Sequence, residues 1–138
     1  MKKKTLLTTL ILLIFSLLVL AACGGAKLSD SFKEDELKSA AEKTISLING
    51  HNSKDLREMG TVQLKDALTD EVMQKVFASI DEGGKFEKIE EMSFAGKKDK
   101  ETEQEFAIVV AKAKYENRSF IYTLSFTKQL KLAGLFYK

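Results

Sequence analysis

The fold class follows from residues 105–127, EFAIVVAKAKYENRSFIYTLSFT. Successive side chains of a β-strand point to opposite faces, so each half of this segment predicts a strand that is apolar or small on both faces. A turn over Asn117-Arg118 joins the halves. In the first strand, Phe106, Ile108 and Val110 share one face, and Ala107, Val109, Ala111 and Ala113 the other. In the second, Phe120, Tyr122, Leu124 and Phe126 alternate with Ile121, Thr123, Ser125 and Thr127.

Two further strands are predicted on either side of this pair. Residues 86–96 form a first strand, which a charged turn over 97–101 connects to residues 105–116. Residues 130–137 form a last strand. Four strands joined by short turns predict an antiparallel meander, in which one face is covered and the sheet is strongly bent.

The first half of the chain is predicted to be helical. From Asp35, apolar residues recur at three- and four-residue spacing until Asn49-Gly50 ends the helix. Ser53 is predicted to cap a short second helix that Gly60 ends, and residues 61–68 are predicted to be helical too. A further amphipathic helix is expected to begin after the N-cap Thr69 and to end at Gly83-Gly84, with Val72, Met73, Val76, Phe77 and Ile80 on its buried face.

Helices followed by an antiparallel meander define an α+β domain over residues 35–138, with N-terminal helices packed on a curled sheet of about four strands. The strings LKDALTDEVMQKVF (64–77), GGKFEKIEEMSF (83–94) and LAGLFYK (132–138) resemble domain of unknown function 3887, found in lipoproteins of Gram-positive bacteria. The resemblance implies a cone-shaped, nuclear-transport-factor-2-like fold with a pocket between helices and sheet. It implies no activity and no site residues.

A separate segment precedes this domain. Residues 1–22 carry three lysines, an apolar run from Leu6 to Leu20, and the small residues Ala21 and Ala22. This is the pattern of a secretory signal peptide, and the apolar run is short for a membrane-spanning helix, which needs about 20 residues. Residues 23–34 are expected to hold the modified cysteine and a flexible tether, because Gly24-Gly25 and small polar residues follow Cys23.

Leu20-Ala21-Ala22-Cys23 resembles the lipobox of bacterial lipoproteins. The resemblance implies a diacylglyceryl thioether on Cys23 and cleavage between Ala22 and Cys23. Two acyl chains anchor stably where one binds only marginally. The chain is therefore expected at the cell membrane, lipid-anchored on the extracytoplasmic face. The alternative is an uncleaved signal anchor in which Cys23 is an incidental small side chain.

The composition excludes several functions. Three of the 22 Lys and Arg residues lie in the signal segment, and the remaining 19 face 20 acidic residues, so no basic surface for nucleic acid is expected. His51 is the only histidine and Cys23 the only cysteine. A histidine-based metal site needs partners at ligand spacing, so no metal or cofactor is expected and His51 is interpreted as a solvated residue between helices.

Some enzymes with the cone-shaped fold that the resemblance implies use a pocket carboxylate with a tyrosine as oxyanion donor, so such a pair is sought in this sequence. Tyr115, Tyr122 and Tyr137 lie on predicted strands, and Glu103, Glu105 and Glu116 lie near strand ends. A catalytic acid must be buried enough to shift its pKa. These glutamates are outside the apolar strand centres, so they are interpreted as solvated and no catalytic residue is assigned.

Three hypotheses therefore stand. The first is a non-catalytic membrane-tethered module that binds a small apolar ligand in the cone or an envelope protein through the sheet. The second is an enzyme with an unrecognised carboxylate and tyrosine pair. The third is a self-associating spacer, a homodimer with an apolar outer sheet face, which rests on fold analogy alone.

Overall fold

The computed structural model describes residues 26–138, in which the chain forms four helices and a four-stranded antiparallel sheet. The predicted α+β class is thereby confirmed. Cys23, the cleavage site and the signal segment lie outside the described residues. Between residues 26 and 138, no helix is both long and apolar enough to span a bilayer.

Helix α1 spans Glu34–Asn49 and begins one residue before the predicted start. Its first turn is acidic, which suits the positive end of the helix dipole. Gly50 ends it as predicted, and its N–H donates to the Ser46 carbonyl at 2.9 Å. The buried stripe consists of Leu37, Ala41, Thr44, Ile45 and Ile48.

Three shorter helices follow: α2 (Ser53–Met59), α3 (Val62–Ala67) and α4 (Asp70–Asp81). The prediction of Ser53 as N-cap was wrong, because Ser53 is already helical and the Asn52 side chain accepts from the Asp55 N–H at 3.1 Å. Thr69 caps α4 as predicted. Val72 is 39% exposed rather than buried, because it lies about 100° around the helix from Met73 and so at the margin of the buried stripe.

The strands are β1 (Phe86–Lys98), β2 (Glu105–Tyr115), β3 (Ser119–Phe126) and β4 (Leu132–Tyr137), in sheet order β1-β2-β3-β4. The predicted meander is confirmed, although β1 extends two residues further. β4 starts two residues later than predicted, because a turn closed by the Leu130 N–H and the Thr127 carbonyl holds Leu130 at φ 60. The sheet is curled and remains open.

The core lies between the helices and one face of the sheet. On β2 this face consists of small side chains, Ala107, Val109, Ala111 and Ala113, and on β3 of large ones, Phe120, Tyr122, Leu124 and Phe126. The small side chains leave room for α1 to pack closely. Alternation of small and large residues across facing elements fills the space without voids.

Candidate functional site

The inner face of the sheet is where the fold resemblance implies a pocket, and large side chains occupy it. Phe120, Tyr122 and Leu124 are at most 2% exposed and belong to one core with Leu37 and Ile45 of α1. Phe120 packs edge-on against Tyr115, with ring centroids 5.2 Å apart. Tyr115, Phe120 and Tyr122 are thus part of the packed core.

The hydroxyls of Tyr115 and Tyr122 form a hydrogen-bonded pair within this core. The Tyr122 hydroxyl lies 2.8 Å from that of Tyr115, which donates to Asn49 Oδ1 at 2.6 Å. Burial raises the pKa of both phenols, and the bond to Tyr115 raises that of Tyr122 further. Both stay neutral in ordinary conditions, so the pair acts as a hydrogen-bonded core group rather than as a source of phenolate.

The glutamates considered as catalytic acids lie at the ends of β2 or in the turns beside it. Glu103 is exposed in the β1–β2 turn with φ 59, and Glu116 accepts from the Lys85 N–H at 3.2 Å. Glu105 is half-buried and lies 3.0 Å from the Lys128 ammonium, which lowers the pKa of the carboxyl. Within residues 26–138, none of these acids hydrogen-bonds to the hydroxyl of Tyr115 or Tyr122.

His51 lies in the α1–α2 loop, where the sequence interpretation placed it, but it makes specific contacts. Its ring stacks on Phe77 with centroids 4.5 Å apart, and its Nε2 lies 2.8 Å from Asp81 Oδ1. These contacts connect the loop to the end of α4. Among residues 26–138, no three His, Cys, Asp or Glu side chains are grouped so that they could hold a metal ion.

The opposite face of the sheet, which we call the outer face, is open to solvent. Cross-strand pairing places the residues of this face in rows across the four strands. One row consists of Ser93, Val110, Thr123 and Phe136, and the next consists of Ala95, Ile108, Ser125 and Gly134. Lys97 and Phe106 lie at one end of the face, and Ile121 lies towards the other end. Phe136 is 66% exposed and Val110 36%. Apolar and hydroxyl side chains therefore meet water across the centre of a four-stranded sheet, an exposed patch of the kind that marks an interaction site.

The segment before α1 lies along the edge of this face. The Gly96 N–H of β1 donates to the Ala26 carbonyl at 2.7 Å. Ser29 donates to Glu105, and Phe32 is buried in the core. From Ala26 onward, the segment expected to be a flexible tether is attached to the sheet. The sequence pattern missed this because the bridge uses backbone atoms at a position where only a glycine allows the approach.

Comparison with known proteins gives a family and a fold. A family model described as Protein of unknown function (DUF3887) matches residues 41–135. The chain is similar to an NMR structure of a protein from Ruminococcus gnavus ATCC 29149, with 17% identity, a TM-score of 0.71, and coverage of 80% of this chain and 95% of that one. At this identity the likeness concerns the fold alone. No curated protein gives a significant match.

Proposed function

Because the chain belongs to the family described as Protein of unknown function (DUF3887), which assigns it no activity, we propose a function from its own residues. It is a lipid-anchored, non-catalytic binding module on the extracytoplasmic face of a Gram-positive cell membrane. It binds through the outer face of its sheet.

The sequence of residues 1–23 supports the anchor. A basic start, an apolar run and Ala21-Ala22 before the sole cysteine combine the features of a secreted chain with a lipid attachment site at Cys23. The apolar acyl chains supply the membrane affinity.

The exposure of the outer face is the observation that supports binding most directly. Phe136 and Val110 are open to water, whereas the inner face of the same sheet is filled by the core. Exposed apolar side chains lower the solubility of a protein. A binding role explains why Val110 and Phe136 are nevertheless exposed in the same cross-strand row.

The rival hypotheses have less support. The enzyme hypothesis needs an acid that contacts the hydroxyl of Tyr115 or Tyr122, and among residues 26–138 none of the acids considered bonds to either one. Outside the filled interior of the cone, a small apolar ligand would find open grooves of about 400 Å³ between α1 and β1, where Ile45 and Ile89 meet Asn49, and of about 410 Å³ on the outer face beside Ile108 and Val110. Native mass spectrometry of the mature chain with Cys23→Ser tests this: a reproducible added mass would favour the ligand.

The anchor is tested by mass spectrometry and detergent partitioning of the chain from cells that express it. We expect the mature chain to begin at Cys23 with a diacylglyceryl mass, and Cys23→Ser to leave the membrane fraction. Retention of residues 1–22 would contradict the anchor.

The binding face is tested by photo-crosslinking in intact cells. Benzoylphenylalanine is placed at Thr123 on the outer face, and at Ser39, which is exposed on α1, as the matched control. We expect a discrete adduct, to lipid or protein, from Thr123 but not from Ser39. Equal adducts from both positions would contradict a binding role for the outer face.

A further inference from the structure

We infer that the outer face rests on the lipid bilayer that anchors the chain, so that the sheet itself is a membrane-contacting surface. This inference rests on the proposed function, because it takes the lipid on Cys23 from there and names the occupant of the outer face. It adds an orientation: the sheet lies towards the membrane and the helices towards the exterior.

The point at which the chain leaves the fold is the first step. Ala26 is bound to Gly96 by the 2.7 Å backbone hydrogen bond. A Cβ on Gly96 would come within 2.6 Å of the Lys27 carbonyl oxygen, so the segment lies directly against β1 there. Ala26 also borders an open recess of the outer face with Ile108 and Val110. The chain towards Cys23 therefore starts from the rim of the outer face.

The length of chain from this rim to the lipid is the second step. Cys23 precedes Ala26 by three residues, which span at most about 11 Å when fully extended. Four strands make a face about 14 Å wide between its outer strands. Because the lipid is attached this close to one rim, the whole outer face can reach the headgroups. A longer tether would allow the domain to lie further from the membrane.

The composition of the outer face is the third step. Two rows of this face carry apolar and hydroxyl side chains, and the row beside them carries Glu91 and Lys112 next to Ile121. Lys112 is paired with Glu90 at 3.4 Å, and Lys97 and Lys138 are exposed at opposite ends. Lysines at the margin of an apolar surface can place their ammonium groups among headgroups.

A weak affinity of the outer face for the bilayer is sufficient to keep the two in contact in this arrangement. An anchor a few residues away makes the contact intramolecular, with an effective concentration on the order of millimolar. The paired charge at Lys112 contributes little attraction to anionic lipid. We therefore expect the contact to form on zwitterionic bilayers and to change little with salt.

The experiment uses the lipidated full-length protein in phosphatidylcholine vesicles at low surface density. The sole native cysteine carries the lipid, so Thr123→Cys and, as control, Ser39→Cys each provide one free thiol for a nitroxide spin label. Accessibility of each label to oxygen, which concentrates in the bilayer, is compared with accessibility to a water-soluble nickel chelate. Mass spectrometry of the same samples reports the lipid.

We expect the ratio of oxygen to nickel accessibility to be several-fold higher for the Thr123 label than for the Ser39 label. Val110→Glu, which places a charge in the outer face, should abolish most of this difference. Val72→Glu is the matched control, since Val72 is 39% exposed on α4 and Val110 36% exposed, and it should leave the difference intact. Circular dichroism checks that each variant is folded.

Three outcomes would overturn the inference. A lipidated protein whose Thr123 label is as accessible to nickel as the Ser39 label overturns it alone and leaves the proposed function standing. A Thr123 label shielded from both reagents and dipolar-coupled to a label on another molecule shows that a second copy covers the face. A protein without the lipid mass overturns both the anchor and the inference.

Discussion

The hydrogen-bonded tyrosines predict an asymmetric effect of removing one hydroxyl. In Tyr122→Phe, the Tyr115 hydroxyl keeps its bond to Asn49 Oδ1, so only one hydrogen bond is lost, about 0.5–1.5 kcal/mol. In Tyr115→Phe, the fully buried Tyr122 hydroxyl loses its bond to Tyr115, the one hydrogen-bond partner it has among residues 26–138. An unsatisfied buried donor costs about 1–3 kcal/mol, so Tyr115→Phe is the more destabilising change.

The double variant tests the mechanism of this asymmetry. With both hydroxyls absent, no buried donor is left without an acceptor, and the half-buried Asn49 side chain can bond to water. We expect Tyr115→Phe/Tyr122→Phe to be no less stable than Tyr115→Phe alone. The assay is urea unfolding of the mature Cys23→Ser chain by circular dichroism, in a double-mutant cycle. Equal single effects that add in the double variant would refute the pairing.

The same pair predicts a loss of stability in alkali. The pKa values of Tyr115 and Tyr122 are raised by burial, so above about pH 10 the unfolded chain releases phenol protons that the folded chain retains. The stabilisation is complete below that pH and falls as pH rises, by up to about 1.4 kcal/mol per pH unit for each such group. The double variant should lose stability less steeply above pH 10. If the stability of the double variant falls with pH as steeply as that of the unsubstituted protein, the two tyrosines are not the cause of the loss in alkali.

Three further changes test the packing and the caps. Gly83→Ala places a Cβ 2.7 Å from the Phe120 ring and should lower the free energy of unfolding by about 1–3 kcal/mol, the usual cost of overpacking. Gly96→Ala places a Cβ 2.6 Å from the Lys27 carbonyl oxygen and should displace the N-terminal segment, measured as faster amide exchange at Gly96 with little loss of global stability. Thr69→Ala removes the cap of α4 and should cost about 1 kcal/mol in the same urea assay.

Each of these changes has a control and a contradicting result. For Gly83→Ala the control is Gly50→Ala, whose Cβ has its closest contact at 3.3 Å; equal losses would remove the packing explanation. Gly134→Ala, whose Cβ would meet only a serine side chain, should leave exchange at Gly96 unchanged, and the same rate in both variants would count against the docked segment. Ser39→Ala, at an exposed site, should change stability by less than about 0.5 kcal/mol, and a Thr69→Ala effect no larger than this would contradict the cap.

Local pattern was sufficient for the secondary structure of most of residues 34–138. The alternation over residues 105–127 predicted β2 and β3, because side chains of a strand point to opposite faces in turn and this two-residue period can be read from the sequence. Gly50 and Thr69 marked helix ends through the hydrogen bonds that such ends require. The predictions at Ser53 and at the start of β4 were wrong by one and two residues. The prediction that Val72 is buried was wrong because Val72 lies at the margin of the buried stripe of α4.

Tertiary structure alone decided how the two apolar faces of the sheet are used. Sequence reasoning described both faces of β2 as apolar or small without assigning them. The alanine face packs on α1 because small side chains allow close approach, which leaves Val110 on the outer face. The contacts of His51 with Asp81 and of Ala26 with Gly96 join residues 30 and 70 positions apart. No local period encodes such contacts, because they form only when the sheet curls and brings distant backbone and side-chain atoms together.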